Sequence, residues 1–551
     1  MIITGQYEGL DAVDYVAAMN DKDPKYDIDE ILYLESEKAS PKNFLVVKGE
    51  SAPKLRLQGT SSLNYAIKNY RIYSKKAKLF LNCDLSTLNK SLNEIAELEN
   101  SGVYVAEANP NYSLHENSAP VNCWCLKADF AEASSSHNTG YARMVHDLFT
   151  NEKVNSLTPP QYYGKDKHSS EIRTTIDGHP CLLFARKTTS DTPVFAGKFN
   201  FNNDKSTEDV FGFLNIKGYH KDSDFVEAMA TEANESLIFP SEDFTVTVKE
   251  KNKEGKEVDV TYTKQYILDL LKGNPTECWE FLNNENEFGD FKNVDFDALI
   301  TTTKTEKDEQ GNEITKTETS LKWLNMWEAR FPDEDLLNAA FEAGVKPKYL
   351  KATAEWIMST DPEEATGNNI PTQYGFSKDT AEYRRAKFVN ELKYYFNLDF
   401  LCNYYTLNDS VAGADQRKKN MMWAYWYDPN VEEHPVMGRT RCYIIYYDND
   451  TILGVDNSGA ITIPWDADEN TKTTSGSYVF AGHNSVLWNN LRTCFSKELK
   501  NSYRKLREVM DDTYMKSYFN EKQSDVYGEV VFNKDTYYKY IKPTIIGTKA
   551  L

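Results

Sequence analysis

Between residues 379 and 450 the chain has few ways to fold. The stretch DTAEYRRAKFVNELKYYFNLDFLCNYYTLND (379–409) spaces Phe388, Leu392, Tyr395, Phe396, Phe400, Leu401 and Tyr404 by helical intervals and runs directly into AGADQRKKN (412–420). An apolar stripe recurring every three to four residues predicts one long amphipathic helix that delivers the chain to an acidic loop. Two aromatic segments follow, MMWAYWYD and RCYIIYYD, and they read as a β-pair. A hairpin folds its two ends together. Asn420, just before the pair, is therefore expected to meet Asp448, just after it, in YYDNDTILG (446–454).

The two acidic stretches hold the residue types of phosphotransfer. Asp415 stands five residues before Asn420, and Asp448 and Asp450 follow the apolar run CYII. Transfer from a nucleotide needs a carboxylate on the attacking hydroxyl, an amide oxygen five positions on for a metal, and a later aspartate on Mg²⁺. Short acidic patterns also arise as solvated turns in a chain with 84 Asp and Glu residues. A second acidic pair, Asp466 and Asp468 in IPWDADEN, lacks a preceding apolar strand and ranks below the first. The DNDTILGVDNSG stretch is not an EF-hand, because its glycine falls at the seventh position and the closing Glu is missing.

Far upstream, KLRLQGTSSLNYAIKNYRIY (54–73) resembles the signature of the CotH family, atypical kinases first known from spore coats. The pattern R-G-N-S-S/T-W-x-Y-P-K-K-x-Y-K-I is matched at Arg56, Gly59, Ser61, Ser62, Tyr65, Lys68, Tyr70 and Ile72. Gln58, Thr60, Leu63 and Ala66 depart from it. The resemblance continues through LKADFAEASSSHNTGYARMVHDLF (126–149), a DGHP turn (177–180) feeding a strand, GKFNFNNDK (197–205), and then the two acidic stretches in order. It implies an α+β, atypical protein-kinase-like two-lobed fold with inserted polar β-hairpins. It further implies Asp415 as the catalytic Asp, Asn420 with Asp448 or Asp450 as metal ligands, and Lys68 or Arg56 as the cation on the phosphates, with ATP and Mg²⁺ as cofactors. A Gly-rich phosphate loop and a His-Arg before the catalytic Asp are both missing from the sequence.

Within that family, SHNTGYARMVHDLF, ECWEFLNN (277–284), WEARFPDEDL (327–336) and NSVLWNNLR (484–492) are similar to CotH-like segments of virion proteins in tailed bacteriophages, where they sit in neck, tail or tail-tip components. The resemblance implies a virion structural protein assembled in the host cytoplasm, with other virion proteins and further copies of itself as partners. The alternative is an active kinase that moves the ATP γ-phosphoryl to a protein hydroxyl.

Bulk composition excludes other classes. A formal charge of −21 disfavours direct binding to DNA or RNA. No apolar run is long enough to span a membrane, and MIITGQYEGL lacks the features of a signal peptide. Eight scattered cysteines without C-x-x-C fit reduced, buried thiols, so neither zinc nor haem is expected. With 35 Tyr and 27 Phe the chain has ample material for cores and for Tyr-rich contact surfaces.

The expected organisation is a β-rich N-terminal lobe (1–125), the remainder of that lobe with linking helices (126–240), an insertion with two hairpins and helices (241–375), a C-terminal α/β lobe with the acidic site (376–510), and an extension (511–551). Strands are expected at ILYLESE, FLVVKG, KLRLQG and KNYRIYS. Met144, Val145, Leu148 and Phe149 mark a helix in which His137 and His146 cap or pack. The hairpins, DFTVTVKEKNKEGKEVDVTYTK (243–264) and ITTTKTEKDEQGNEITKTETSLKW (300–323), are too polar to bury themselves. They are either solvent-exposed decoration or arms that pair with a neighbouring subunit. Helices are expected at 266–273, 333–344 and 347–360, and a helix pair at 487–510.

Overall fold

Strand register, more than chain order, assembles the first 204 residues. The computed structural model describes residues 1–5, 25–34, 43–59, 67–74, 76–81, 105–106, 112, 121–128, 137–150, 154, 175–204, 245–251, 256–263, 275–281, 299–307, 313–321, 327–331, 348–417, 420–455, 463–464, 466–472, 478–480, 482 and 484–523. The fold is α+β. Its large sheet holds β1 (Ile2–Thr4), β2 (Lys25–Asp27), β3 (Glu30–Tyr33), β4 (Phe44–Val47), β5 (Lys54–Gln58), β6 (Asn69–Tyr73), β7 (Lys78–Leu81), β8 (Val105–Ala106), β9 (Cys123–Lys127), β10 (Gly178–Arg186) and β11 (Val194–Asn203). Their order is β2-β5-β6-β9-β11-β10-β1-β3-β4-β7-β8. The β1–β10 pair is parallel and its neighbours β1–β3 and β10–β11 are antiparallel. A buried polar group locks that centre: Arg186 Nη2 and Thr4 Oγ1 each donate to Glu30 Oε1 at 2.7 Å.

Alternation decides the two faces of this sheet. Leu55, Leu57, Tyr70 and Ile72 are buried with Trp124, Leu126 and Phe201 in the main core, while Arg56, Gln58, Arg71 and Tyr73 are half-buried between them. One face is therefore apolar and the other polar and basic. The four expected strands fall where the alternation places them.

Later in the chain come β12 (Thr245–Lys251), β13 (Glu257–Thr263), β14 (Pro275–Phe281), β15 (Leu299–Lys307), β16 (Glu313–Leu321), β17 (Trp327–Phe331), β18 (Asn369–Gln373), β19 (Phe376–Lys378), β20 (Met421–Tyr427) and β21 (Thr440–Tyr446). A second sheet runs β17-β14-β20-β21, whereas β12–β13 and β15–β16 pair only with themselves among the described residues. The large sheet thus takes strands from both 1–125 and 126–240, and the second sheet from both 241–375 and 376–510. The helices are α1 (His137–Thr150), α2 (Tyr349–Ser359), α3 (Ala381–Glu391), α4 (Leu398–Ser410), α5 (Val486–Cys494), α6 (Ser496–Arg507) and α7 (Asp512–Gln523). Expected helices at 266–273 and 333–344, and the tail beyond 523, lie outside the described residues.

The single helix expected over 379–409 is in fact α3, a 3₁₀ turn at Leu392–Tyr394, and α4. Tertiary pairing breaks it. The Cys442 amide donates to Tyr395 O at 2.7 Å, Phe396 bridges Cys442, and Asn397 Oδ1 then caps α4 by accepting from Phe400 N at 2.9 Å. All seven cysteines among the described residues are unpaired thiols. No helix among the described residues is long and apolar enough to cross a membrane.

Glu277 on β14 ties the second sheet to α2. Its carboxyl accepts the amides of Lys348, Tyr349 and Leu350 at 2.9, 3.1 and 3.2 Å and the Trp279 indole N–H at 3.0 Å. Burial pushes this carboxyl above the usual glutamate range, against the pull of its donors. Glu277→Ala would strand those donors in the interior and is expected to cost about 3 kcal/mol, read as a lowered urea midpoint at unchanged m value.

Candidate functional site

The acidic site is built at one end of the β20–β21 pair. Register sets Met421 opposite Tyr446, so the residues before the first strand and after the second leave the sheet side by side. Asn420 and Asp448 both take left-handed backbone conformations, at φ 53° and 51°. Asn and Asp adopt that region at lower cost than other side chains with a Cβ. Asn420 Nδ2 donates to Asp448 O at 2.9 Å, and Gln416 Nε2 reaches the same oxygen at 3.3 Å.

The Asp415 loop is pinned from several sides. Helix α4 ends as Gly413 N donates to Asn408 O at 2.8 Å, with Ala412 at φ 50°. A Cβ on Gly413 would lie 2.6 Å from Gln416 Oε1, so any side chain there would make the Gln416 amide shift. Two main-chain bonds stitch the loop to the second acidic stretch: Ala414 N to Thr451 O at 3.0 Å and Leu453 N to Val411 O at 2.6 Å. Tyr404 Oη donates to Gln416 O at 2.6 Å and the Trp488 indole to Arg417 O at 3.1 Å. The Arg417 guanidinium lies over the Tyr405 ring, 4.3 Å from its centre, and donates to Tyr405 O and Asp409 Oδ1. Asp415, buried in this loop, is held by the scaffold around it.

The sequence-predicted residues divide into two groups. Asp415, Asn420, Asp448 and Asp450 share the paired loops at the end of β20–β21. Arg56 and Lys68 belong to the large sheet, Arg56 on β5 and Lys68 just before β6. Desolvation holds the Lys68 ammonium below the ordinary lysine range. Arg56 Nη1 reaches Tyr73 Oη at 3.5 Å. Tyr447, just before Asp448, has its phenol pushed up by burial first and then by Asp448, Glu280 and Cys125, with Arg330 opposing. Cys125 lies on β9, directly opposite Arg71 on β6, which in turn lies opposite Arg56 on β5. Two strand spacings, about 10 Å, separate Arg56 from Cys125.

Arg71 lies opposite Arg56 in the ladder, and sequence reasoning passed it over. Its Nη2 donates to Asp204 Oδ1 at 3.0 Å, and Cys123 Sγ contacts Asp204 Oδ2 at 3.3 Å. Strand alternation was the available signal, since it sets Arg56 and Arg71 on one face. Asn138 of α1 was missed as well: its Oδ1 accepts the Asn449 amide at 3.0 Å. Asn449 is fully buried between the two aspartates, and neither atom of its side-chain amide has a hydrogen-bond partner.

Other candidates have structural work. Asp468 Oδ1 accepts from Asn470 N and Thr471 Oγ1 in an exposed turn, which holds its carboxyl below the usual range. His137 packs edge-on against Phe519, and His146 is buried. Ser61, Ser62 and Tyr65 of the upstream motif lie outside the described residues. Among the described residues no three His, Cys, Asp or Glu side chains gather into a metal-binding group. The Asn420 side chain still suits a hard cation in chemistry, because its nitrogen is committed to Asp448 O and its oxygen remains as a donor beside the aspartate.

No model of a known protein family matches the chain, and no curated protein matches it.

Asn420 unites a backbone preference and a side-chain bond. Asn420→Ala should lower stability by about 2 kcal/mol, and Asn420→Gly by less, because glycine relieves the left-handed backbone while losing the same bond. Urea midpoints of the three proteins check this ranking; equal losses would remove the backbone contribution.

Proposed function

We propose that this protein is a structural component of a tailed-bacteriophage particle, in its neck or tail, built around a two-lobed CotH-like kinase-type domain. The observation that carries the particle role is the pair of hairpins whose strands, among the described residues, pair only with each other. In β13, Glu257, Val258 and Asp259 are all exposed, so both faces of that strand meet solvent. In the second hairpin Thr301, Thr303, Thr305, Thr315 and Thr317 are exposed, in a ladder whose register pairs Thr303 with Thr317 and Thr305 with Thr315. A lone two-stranded hairpin is marginal in water and leaves two unpaired strand edges. Both properties suit an arm that completes its pairing on a neighbouring copy inside a particle assembled in the host cytoplasm. Replacing 243–264 and 300–323 with short Gly-Ser links is expected to abolish self-association in sedimentation velocity and leave a folded monomer. Assembly undiminished by both replacements would count against the arms.

A second reading, ATP-dependent transfer to a protein hydroxyl, is favoured by one contact, the Asn420 bond to Asp448 that holds the two acidic stretches together. In this reading Asp415 orients the hydroxyl and takes its proton. Asn420 Oδ1 with Asp448 or Asp450 would hold Mg²⁺, and Lys68 or Arg56 of the large sheet would steady the phosphates. Bound Mg²⁺ supplies the charge neutralisation that phosphate oxygens need as transfer proceeds. Calorimetric titration with Mg²⁺-ATP is expected to show saturable binding that Asp448→Ala loses; Asp415→Ala should keep binding and lose transfer. A well-folded parent protein that takes up no nucleotide would leave the scaffold as architecture alone.

A further inference from the structure

Helix α1 touches the acidic loop through Asn138. Asn138, in its first turn and almost fully buried, accepts the Asn449 amide through Oδ1 at 3.0 Å. One turn on, Tyr141 Oη donates to Asn408 Oδ1 at 2.9 Å, and the Tyr141 ring meets Tyr446 edge-on at 6.0 Å. The same helix thereby contacts the end of α4, which feeds the Asp415 loop, and the end of β21, which feeds Asp448. Behind it lies α7. Tyr518 Oη donates to Asp147 Oδ2 at 2.5 Å, and Phe519 sits edge-on to His137 at 6.3 Å. Gly140 admits α7 so closely that a Cβ there would stand 2.9 Å from Tyr518 O.

We propose that Asn138 is a positioning residue for the Asp448–Asp450 loop and that α7, by bracing α1 from behind, holds Asn138 in place. The bond fixes the main chain between the two aspartates, so losing it frees the loop that carries both. Its relevance to ligand binding rests on the acidic-site reading above, whereas the mechanical link stands on geometry alone.

Hydrogen exchange, read by mass spectrometry across 446–453, separates the two. Asn138→Leu removes the acceptor and is expected to speed exchange at Asn449 by about tenfold, the equivalent of one ordinary hydrogen bond. Asn138→Asp restores an acceptor oxygen and should return exchange to near the parent rate. Gly140→Ala favours the helix intrinsically but pushes α7 away. It is expected to raise exchange in 512–523 and in 446–453 together while β14 and β20 stay protected. Unchanged exchange at Asn449 in Asn138→Leu, or a rise spread evenly over the chain, would overturn the proposal. Mg²⁺-ATP titration of the same proteins adds the functional arm: binding weakened in Asn138→Leu and recovered in Asn138→Asp is the expected pattern. A parent protein that binds no nucleotide removes the acidic-site reading and leaves the exchange result to decide the link.

Discussion

The acidic site depends on the register of β20 against β21. With Met421 opposite Tyr446, Asn420 and Asp448 emerge at the same end of the ribbon, one residue before it and two after it. Side chains alternate faces along a strand, so a slip of one residue would turn every side chain of β21 to the other face and part the two acidic stretches. Burial forbids the slip. All seven residues of β21 and six of the seven in β20 are buried, Trp423 and Trp426 among them. Core packing therefore sets the register, and the Asn420 bond to Asp448 O then ties together the stretches that the register brings side by side.

How much of this was legible in the sequence depends on how local the cause is. The strands of 30–73 carry their own alternation, and the β-pair of 421–446 declares itself by its aromatic runs, so both were readable. The break in the 379–409 helix was not, because its cause is an amide from Cys442 nearly fifty residues away. β14 and β17 were hidden for the same reason: they are short and become strands by pairing with each other and with β20. For the candidate site, Asp415, Asn420, Asp448 and Asp450 were visible as a spacing. Asn138 and Arg71 were not, because only the tertiary fold brings α1 to the second acidic stretch and Arg71 to Asp204.

The polar face of the large sheet also shows how a polar surface is kept inside a fold. Arg71, Asp204, Cys123 and Tyr73 satisfy one another across β6 and β9, so the charge of the guanidinium is met before any ligand arrives. Asn449 is the opposite case. Its main-chain amide is held, but its side chain is buried with no partner, and an unpaired buried amide costs stability. The chain carries that cost in the one loop where both acidic aspartates stand.

The position of β1 imposes an order on the folding of the large sheet. Ile2–Thr4 lies in the middle of eleven strands, paired in parallel with β10 and locked to it by Arg186 and Glu30. β1 therefore meets one neighbour, β3, within some 30 residues, but its other, β10, only after some 180 further residues have been made. Until then β3 and β4 offer only one side of the sheet, and the centre stays an open edge. Pairings this distant in sequence form slowly and leave strand edges exposed during synthesis. The large sheet thus closes late, and it is most vulnerable to association with other nascent copies during that interval.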